Sequence, residues 1–348
     1  MRIFPKLRLL FFPLSICYGL IVALRNRLFD RDLIKVQDFA VPVISVGNLT
    51  AGGTGKTPII MHLIEVVGKS FKKPAVVTRG YGRKSKGCIV VSDGDGYRIT
   101  VSEGGDEPLL IARKHPQAVV IVSERRAEGI HHAIEHFGCD VIFLDDAFQH
   151  RFVRRNCDIV LINAREGWQG TQLLPMGRLR EPLRNLNRAD IVVITKGSTD
   201  ENERIRARIR EHSDLPLFYA EFSGAALTKP DFSTTLPLST LYEKKIACFC
   251  GIAHPADFLS ELRKSDADIC AFLTFPDHYH YSDRDIYRII KSAKNAGCDM
   301  VITTEKDMIR CNTKLFSGIE LLALRLRVSV NPEFQEIVRT FIDKGVSY

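Results

Sequence analysis

From Val41 onward the chain repeats one pattern, a short run rich in Val and Ile followed by a stretch of helical character. The runs lie at 43–46, 75–78, 118–122, 141–144, 159–162 and 191–195. They lack polar alternation, so each must be buried on both faces, the condition of parallel strands covered by helices on either side. Helices are expected between them at 58–67, 108–114 and 125–137. Such alternation confines the first part of the chain to a doubly wound, mostly parallel α/β sheet with right-handed crossovers. The pattern breaks after residue 216. Residues 217–240 contain Pro230, Pro237 and a run of Ser and Thr, which reads as a linker or irregular connection. A second, smaller α/β set follows, with strands at 245–251, 271–275, 300–304 and 321–330 and helices at 255–264 and 283–296. A closing helix at 333–344 is expected to return to the first domain. The length of 348 residues suits two such domains.

The N-terminus follows a different rule. Residues 9–24 read LLFFPLSICYGLIVAL, without a charge, with Arg2, Lys6 and Arg8 before them and Arg25 and Arg27 after. The run falls short of the ~20 apolar residues of a full span, and no small-residue cleavage site follows it. It reads as a helix embedded in or lying on a lipid interface, with its arginines snorkelling to headgroups. The competing reading is a helix packed on the protein core. Of the net charge of +8, residues 1–36 supply +5, from seven Lys/Arg against Asp30 and Asp32. A cluster of that kind beside an apolar segment points to an anionic membrane surface and away from nucleic acid. Nine Cys without C-x₂-C spacing read as reduced core thiols of a cytosolic compartment.

The most specific local signal runs from Val43 to Pro58: a strand, then Gly47-Asn48-Leu49-Thr50-Ala51-Gly52-Gly53-Thr54-Gly55-Lys56-Thr57, then a helix. Clustered glycines let successive backbone N–H groups point inward at phosphate oxygens, and the helix N-terminus adds partial positive charge. Residues 50–57 are therefore candidate nucleotide ligands, with Lys56 reaching the β/γ-phosphates and the Thr57 hydroxyl ligating Mg²⁺. The strict pattern asks for Gly where Thr50 stands, so the loop is a variant. Asp145 and Asp146 end the run at 141–144, where a metal-holding carboxylate belongs. Gln149, His150 and Arg151 follow at the carboxyl edge of the sheet, where ligands of open α/β folds bind. Asp106 and Glu107 open a helix whose dipole favours their charge, and the loop 275–281 concentrates Asp277, two His and two Tyr. Arg178, Arg180, Arg184 and Arg188 are candidates for holding a substrate phosphate.

Taken in order, these segments resemble the tetraacyldisaccharide 4'-kinases of lipid A synthesis. The matching stretches are 47–58, Thr78-Arg79-Gly80-Tyr81-Gly82, Gly105-Asp106-Glu107-Pro108, Asp145-Asp146-Ala147-Phe148-Gln149-His150-Arg151, Arg178-Leu179-Arg180-Glu181-Pro182, Phe275-Pro276-Asp277-His278 and Thr304-Glu305-Lys306-Asp307. The resemblance implies a kinase using ATP and Mg²⁺ on the 4'-hydroxyl of a tetraacylated glucosamine disaccharide 1-phosphate, the lipid A precursor. It implies Asp106 as proton partner tuned by His278, Lys56 as a catalytic cation, and Thr57, Asp145 and Asp146 as metal residues. Arg79, Glu107, Gln149, His150 and Glu181 would line the substrate or nucleotide site. The expected layout is a membrane-associating helix over 1–35, a P-loop kinase domain over 36–216 joined by the C-terminal helix 331–348, and a second α/β domain over 217–330. The enzyme would work as a monomer at the cytoplasmic face of the inner membrane. A membrane-partitioning ATPase would carry Lys where Ala51 stands, and a mere nucleotide-binding scaffold would not need Asp106.

Overall fold

A computed structural model describes residues 11–166, 172–211 and 213–345. The first helix, α1, is Phe12–Asp30; Arg2, Lys6, Arg8 and the start of the apolar run lie outside the described residues. The first half of the chain then runs β1 (Val43–Asn48), α2 (Lys56–Val66), β2 (Pro74–Thr78), β3 (Ile89–Asp93), α3 (Val101–Gly104), α4 (Asp106–Lys114), β4 (Val119–Val122), α5 (Arg126–Phe137), β5 (Val141–Asp145), β6 (Cys157–Asn163), β7 (Ile191–Thr195) and α6 (Thr199–Arg210). The second half runs β8 (Leu217–Thr228), β9 (Thr235–Pro237), β10 (Lys245–Cys250), α7 (Pro255–Arg263), β11 (Asp268–Thr274), α8 (Asp283–Asn295), β12 (Met300–Thr304), α9 (Glu305–Arg310), β13 (Glu320–Val330) and α10 (Glu333–Gly345).

The strands join in one sheet, in the order β11-β10-β12-β13-β8-β7-β6-β1-β5-β2-β4-β3, with β9 beside β8. Every residue of β1, β5, β6 and β7 is buried, which is why their sequences do not alternate. Ile44 and Val46 face one layer, with Ile59, Ile60 and Leu63 of α2 and Leu109 and Ile111 of α4. Val43, Ile142 and Leu144 face the other, with Ile130 and Ala133 of α5. The first layer continues into the second half through Ile286 and Ile289 of α8 and Phe334, Val338 and Ile342 of α10. Gln335 and Arg339 of α10 hydrogen-bond to Val66 O and Ser70 Oγ at the far end of α2.

The segment 217–240 corrects the sequence reading. It is no irregular linker: β8 spans 12 residues, pairs parallel to β7 and antiparallel to β13, and carries the sheet from one half to the other. Its residues are mostly half-exposed, and Gly224 interrupts them, so the strand lacks the Val/Ile-rich signature of its neighbours.

Candidate active site

The carboxyl ends of β1, β2, β5, β6 and β7 open into a cleft of about 1850 Å³ that β8, β13, α9 and the loop 276–278 close from the other half. The glycine loop forms its floor. Gly55 sits at φ 90°, and a Cβ there would meet the Phe222 ring at 2.7 Å, so the left-handed turn into α2 needs glycine. The loop carbonyls are occupied by neighbours. Asn48 O accepts from Gln149, Leu49 O from the Arg180 amide, Thr50 O from Asn48, Ala51 O from Arg178, Gly53 O from Lys196 and Thr54 O from Thr195. With its carbonyls held this way, the loop leaves the amides of Gly52 to Thr57 without a protein acceptor among the described residues. That is the arrangement that grips phosphate.

Two carboxylates at the end of β5 have different surroundings. Asp146, in the left-handed region at φ 49°, faces Lys56 Nζ at 3.5 Å and accepts from Arg180 at 2.8 Å. Burial works to raise it, but the charges of Lys56 and Arg180 win and hold it below the usual carboxylate range. Asp145 is 3% exposed; its Oδ2 accepts from Thr78 at 3.0 Å, and its Oδ1 is buried without a partner among the described residues. Burial, helped by Glu107 and Asp146, pushes its carboxyl up. Asp145 and Thr57 both line the cleft, and a buried, unsatisfied carboxylate oxygen is a donor that suits a divalent hard cation.

Asp106 opens α4 and is 5% exposed. His278 Nδ1 lies 2.8 Å from its Oδ2, with Arg310 Nε at 3.8 Å and Lys306 Nζ at 4.0 Å. Burial alone would raise its pKa; the His278 hydrogen bond and these charges outweigh it and hold the carboxyl at about 2. An ionised carboxylate only accepts, so His278 Nδ1 is the donor. Lys306 also pairs with Glu107 at 2.7 Å. Sequence reasoning gave Lys306 no role, although its motif was visible. Thr304 caps α9 by accepting from the Asp307 amide, and Lys114–Glu305 and Lys306–Glu107 join that helix to α4.

The remaining expected residues divide. Arg79, Glu107, Gln149 and His150 line the cleft together. Burial and the charges of Arg126, Arg155, Arg25 and Arg79 press His150 down to about 4. Glu181 does not line it. It is fully buried, accepts from Asn26, Asn185 and Arg188, and ties α1 to the body. The four arginines 178–188 do not act together: Arg178 and Arg180 line the cleft, Arg188 serves Glu181, and Arg184 is exposed. Arg25, expected at lipid headgroups, donates to Gln149 O and lines the cleft. The polar side of α1 faces the protein, through Ser15 to Leu173 O, Tyr18 to Arg180 O and Asn26 to Glu181. Its apolar side, with Phe12, Leu14, Ile16, Leu20, Ile21 and Leu24, is exposed.

A family model described as tetraacyldisaccharide-1-P 4'-kinase matches residues 7–343. A tetraacyldisaccharide 4'-kinase of Pelodictyon phaeoclathratiforme is 37% identical over 93% of this chain and 98% of the relative. One from Chlorobium luteolum is 40% identical over 88% and 87%. The crystal structure of LpxK from Aquifex aeolicus in complex with ATP superposes with a TM-score of 0.81 at 32% identity, covering 97% of this chain and 99% of that one.

Proposed function

The chain belongs to the tetraacyldisaccharide-1-P 4'-kinase family, and from that premise we propose how its cleft phosphorylates the 4'-hydroxyl of a tetraacylated glucosamine disaccharide 1-phosphate at a membrane surface. The observation that carries the reading is the meeting, in one cleft, of the unpartnered loop amides and Lys56 with the buried, His-bonded carboxylate of Asp106. Phosphoryl transfer needs alignment and charge neutralisation more than covalent help. The loop amides and Lys56 hold the triphosphate of ATP. Asp145, with Thr57, would hold Mg²⁺, which neutralises phosphate charge when bound; Asp146 is already engaged by Lys56 and Arg180. Asp106 orients the acceptor hydroxyl and takes its proton late, so a carboxylate of low basicity is adequate. His278 fixes its direction. Arg79, Glu107, Gln149 and His150 line the acceptor side.

The exposed apolar face of α1 supports action at a bilayer, because an acceptor with four acyl chains does not leave lipid cheaply; the cytoplasmic face of the inner membrane is part of the same proposal, as the side on which ATP is supplied. The division into 1–35, 36–216 with 331–348, and 217–330 belongs to the same proposal. The test is transfer of labelled γ-phosphate from ATP to the disaccharide 1-phosphate in mixed micelles. Asp106→Asn is expected to lower kcat about 100-fold or more with nucleotide affinity kept, and Lys56→Ala to lower both. Undiminished kcat in Asp106→Asn would remove the proton assignment. A wild-type enzyme that labels no lipid would remove the function.

A further inference from the structure

The kinase reading leaves Asp307 of α9 without a role, although this carboxylate is fully buried. Its Oδ1 accepts from the Gly251 amide at 3.0 Å, Tyr281 Oη at 2.9 Å and Arg310 Nη2 at 2.8 Å, and its Oδ2 accepts from Thr304 Oγ1 at 2.6 Å. A carboxylate taken out of water needs such partners, and here they come from three separate segments of the second half. Gly251 follows β10, Tyr281 ends the loop 275–281, and Thr304 and Arg310 bound α9. The packing is tight: a Cβ at 251 would stand 2.9 Å from both Pro276 O and Tyr281 Oη. The Tyr281 ring is wedged against Phe249 and Phe275, with centroids 5.2 and 5.0 Å away. Asp307, Tyr281 and Arg310 do not themselves line the cleft.

Two groups fixed by this node face Asp106. His278, three residues before Tyr281, sits at φ 57°, a conformation that a residue with a side chain keeps only where its surroundings impose it. Its Nδ1 meets Asp106 Oδ2 at 2.8 Å. Arg310 Nε approaches the same oxygen only to 3.8 Å, beyond hydrogen-bond reach. Bonds to Asp307, Gly251 O and Lys306 O keep it there. A guanidinium so placed favours the ionised carboxylate without taking up a lone pair that the acceptor hydroxyl needs. Without Asp307, the carboxylate left beside this buried cation is that of Asp106, and a direct pair would displace His278 or the hydroxyl.

We propose, as an inference resting on the kinase reading, that Asp307 is a positioning residue: it holds Arg310 back from Asp106 and, through Tyr281, tethers the loop that brings His278 to it. Asp106 then keeps one histidine bond and a free lone pair aimed at the acceptor hydroxyl. The node acts on the orientation of Asp106 and leaves the grip on the triphosphate, made by the glycine loop and Lys56 in the other half, untouched.

The experiment uses the full-length enzyme with Tyr281→Phe, which removes one hydroxyl and keeps the packed ring, and with Asp307→Asn, each also combined with Asp106→Asn. Tyr281→Phe is expected to lower kcat roughly tenfold with the KM for ATP unchanged, as for one hydrogen bond to a charged group. Asp307→Asn is expected to lower kcat further, because Arg310 is released as well. Neither change should lower kcat again in the Asp106→Asn background, since both act through that carboxylate. A second readout needs no lipid: the Nδ1–H resonance of His278 in protein labelled with ¹⁵N-histidine, identified by its loss in His278→Gln. It is expected in the wild type and should broaden or vanish in Tyr281→Phe. An equal loss of kcat with or without Asp106, or an unchanged kcat and an unchanged resonance in Tyr281→Phe, would overturn the positioning role. A resonance that depends on Tyr281 in an enzyme that labels no lipid would overturn the kinase reading alone. Tyr281→Phe decides the matter even if Asp307→Asn does not fold.

Discussion

The apolar face of α1 allows a quantitative test of what covers it. Leu20 and Ile21 of α1 are 65% and 66% exposed. Complete burial of such a side chain contributes about 1.5–3 kcal/mol, and roughly two-thirds of that remains to be gained, so each contributes about 1–2 kcal/mol on entering lipid. Replacing both, as Leu20→Gln/Ile21→Gln, should cost roughly 2–4 kcal/mol of membrane affinity, or roughly 30- to 1,000-fold in partitioning. Folding stability should change by less than about 0.5 kcal/mol, because neither side chain packs in the protein core. Co-sedimentation with vesicles containing phosphatidylglycerol measures the first quantity, and urea denaturation without lipid the second. Equal partitioning of variant and wild type would refute the argument. So would a large loss of stability in lipid-free buffer, since the face would then be covered by protein.

Glu181 is fully buried and accepts from Arg188, so Glu181→Gln should leave that guanidinium without its counter-charge and lower stability by about 3 kcal/mol in chemical denaturation. It should also make α1, tied to Glu181 through Asn26, easier to cleave in limited proteolysis. Burial, with the charges of Lys114, Arg325 and Lys69, depresses His115 from the ordinary 6.5 to about 4. The unfolded chain therefore binds the proton first. Stability from keeping this group neutral is complete above about pH 6.5 and is lost as pH falls through 4. His115→Gln should flatten the decline in unfolding free energy between pH 6.5 and 4 by about 2–3 kcal/mol; an unchanged slope would show that other groups set it.

How much of the molecule was legible in the sequence depends on how local each feature is. The strands β1, β5, β6 and β7 declare themselves because both faces are buried and nothing polar can interrupt them. The glycine loop and the Asp145–Asp146 pair are contiguous in the chain, so their chemistry shows without a fold. β8 was hidden because its long ladder depends on β13, about 100 residues away, and half its residues meet solvent. Glu181 was misjudged because an acid in a cleft and an acid under a helix look alike in sequence; only Asn26, 155 residues distant, tells them apart. Arg25 deceived in the same way, since its place beside an apolar run suggested lipid while its partner is Gln149 O. The Asp106–His278 contact spans 172 residues and was reached through family resemblance, not through spacing.

The contacts between the halves raise a question of what ion pairs contribute. Lys114 of α4 and Glu305 of α9 meet at 2.7 Å with side chains 6% and 8% exposed, and Thr228 adds a hydrogen bond to Glu305. Removing two charges from water costs several kcal/mol each, about what their attraction returns, so the pair should add little net stability. Adhesion between the halves comes instead from the continuous sheet and from the apolar layer shared by α2, α8 and α10. What the pair sets is register: together with Lys306–Glu107 it fixes where α9 meets α4, and that same approach brings Lys306 and Arg310 to Asp106. Lys114→Met alone should therefore cost about 3–5 kcal/mol by stranding Glu305, while Lys114→Met/Glu305→Leu should return within about 1 kcal/mol of wild type. Because register is lost, the double variant should remain well below wild-type kcat. Recovery of both stability and kcat in the double variant would sink the register argument, and an additive loss of stability would sink the energetic one.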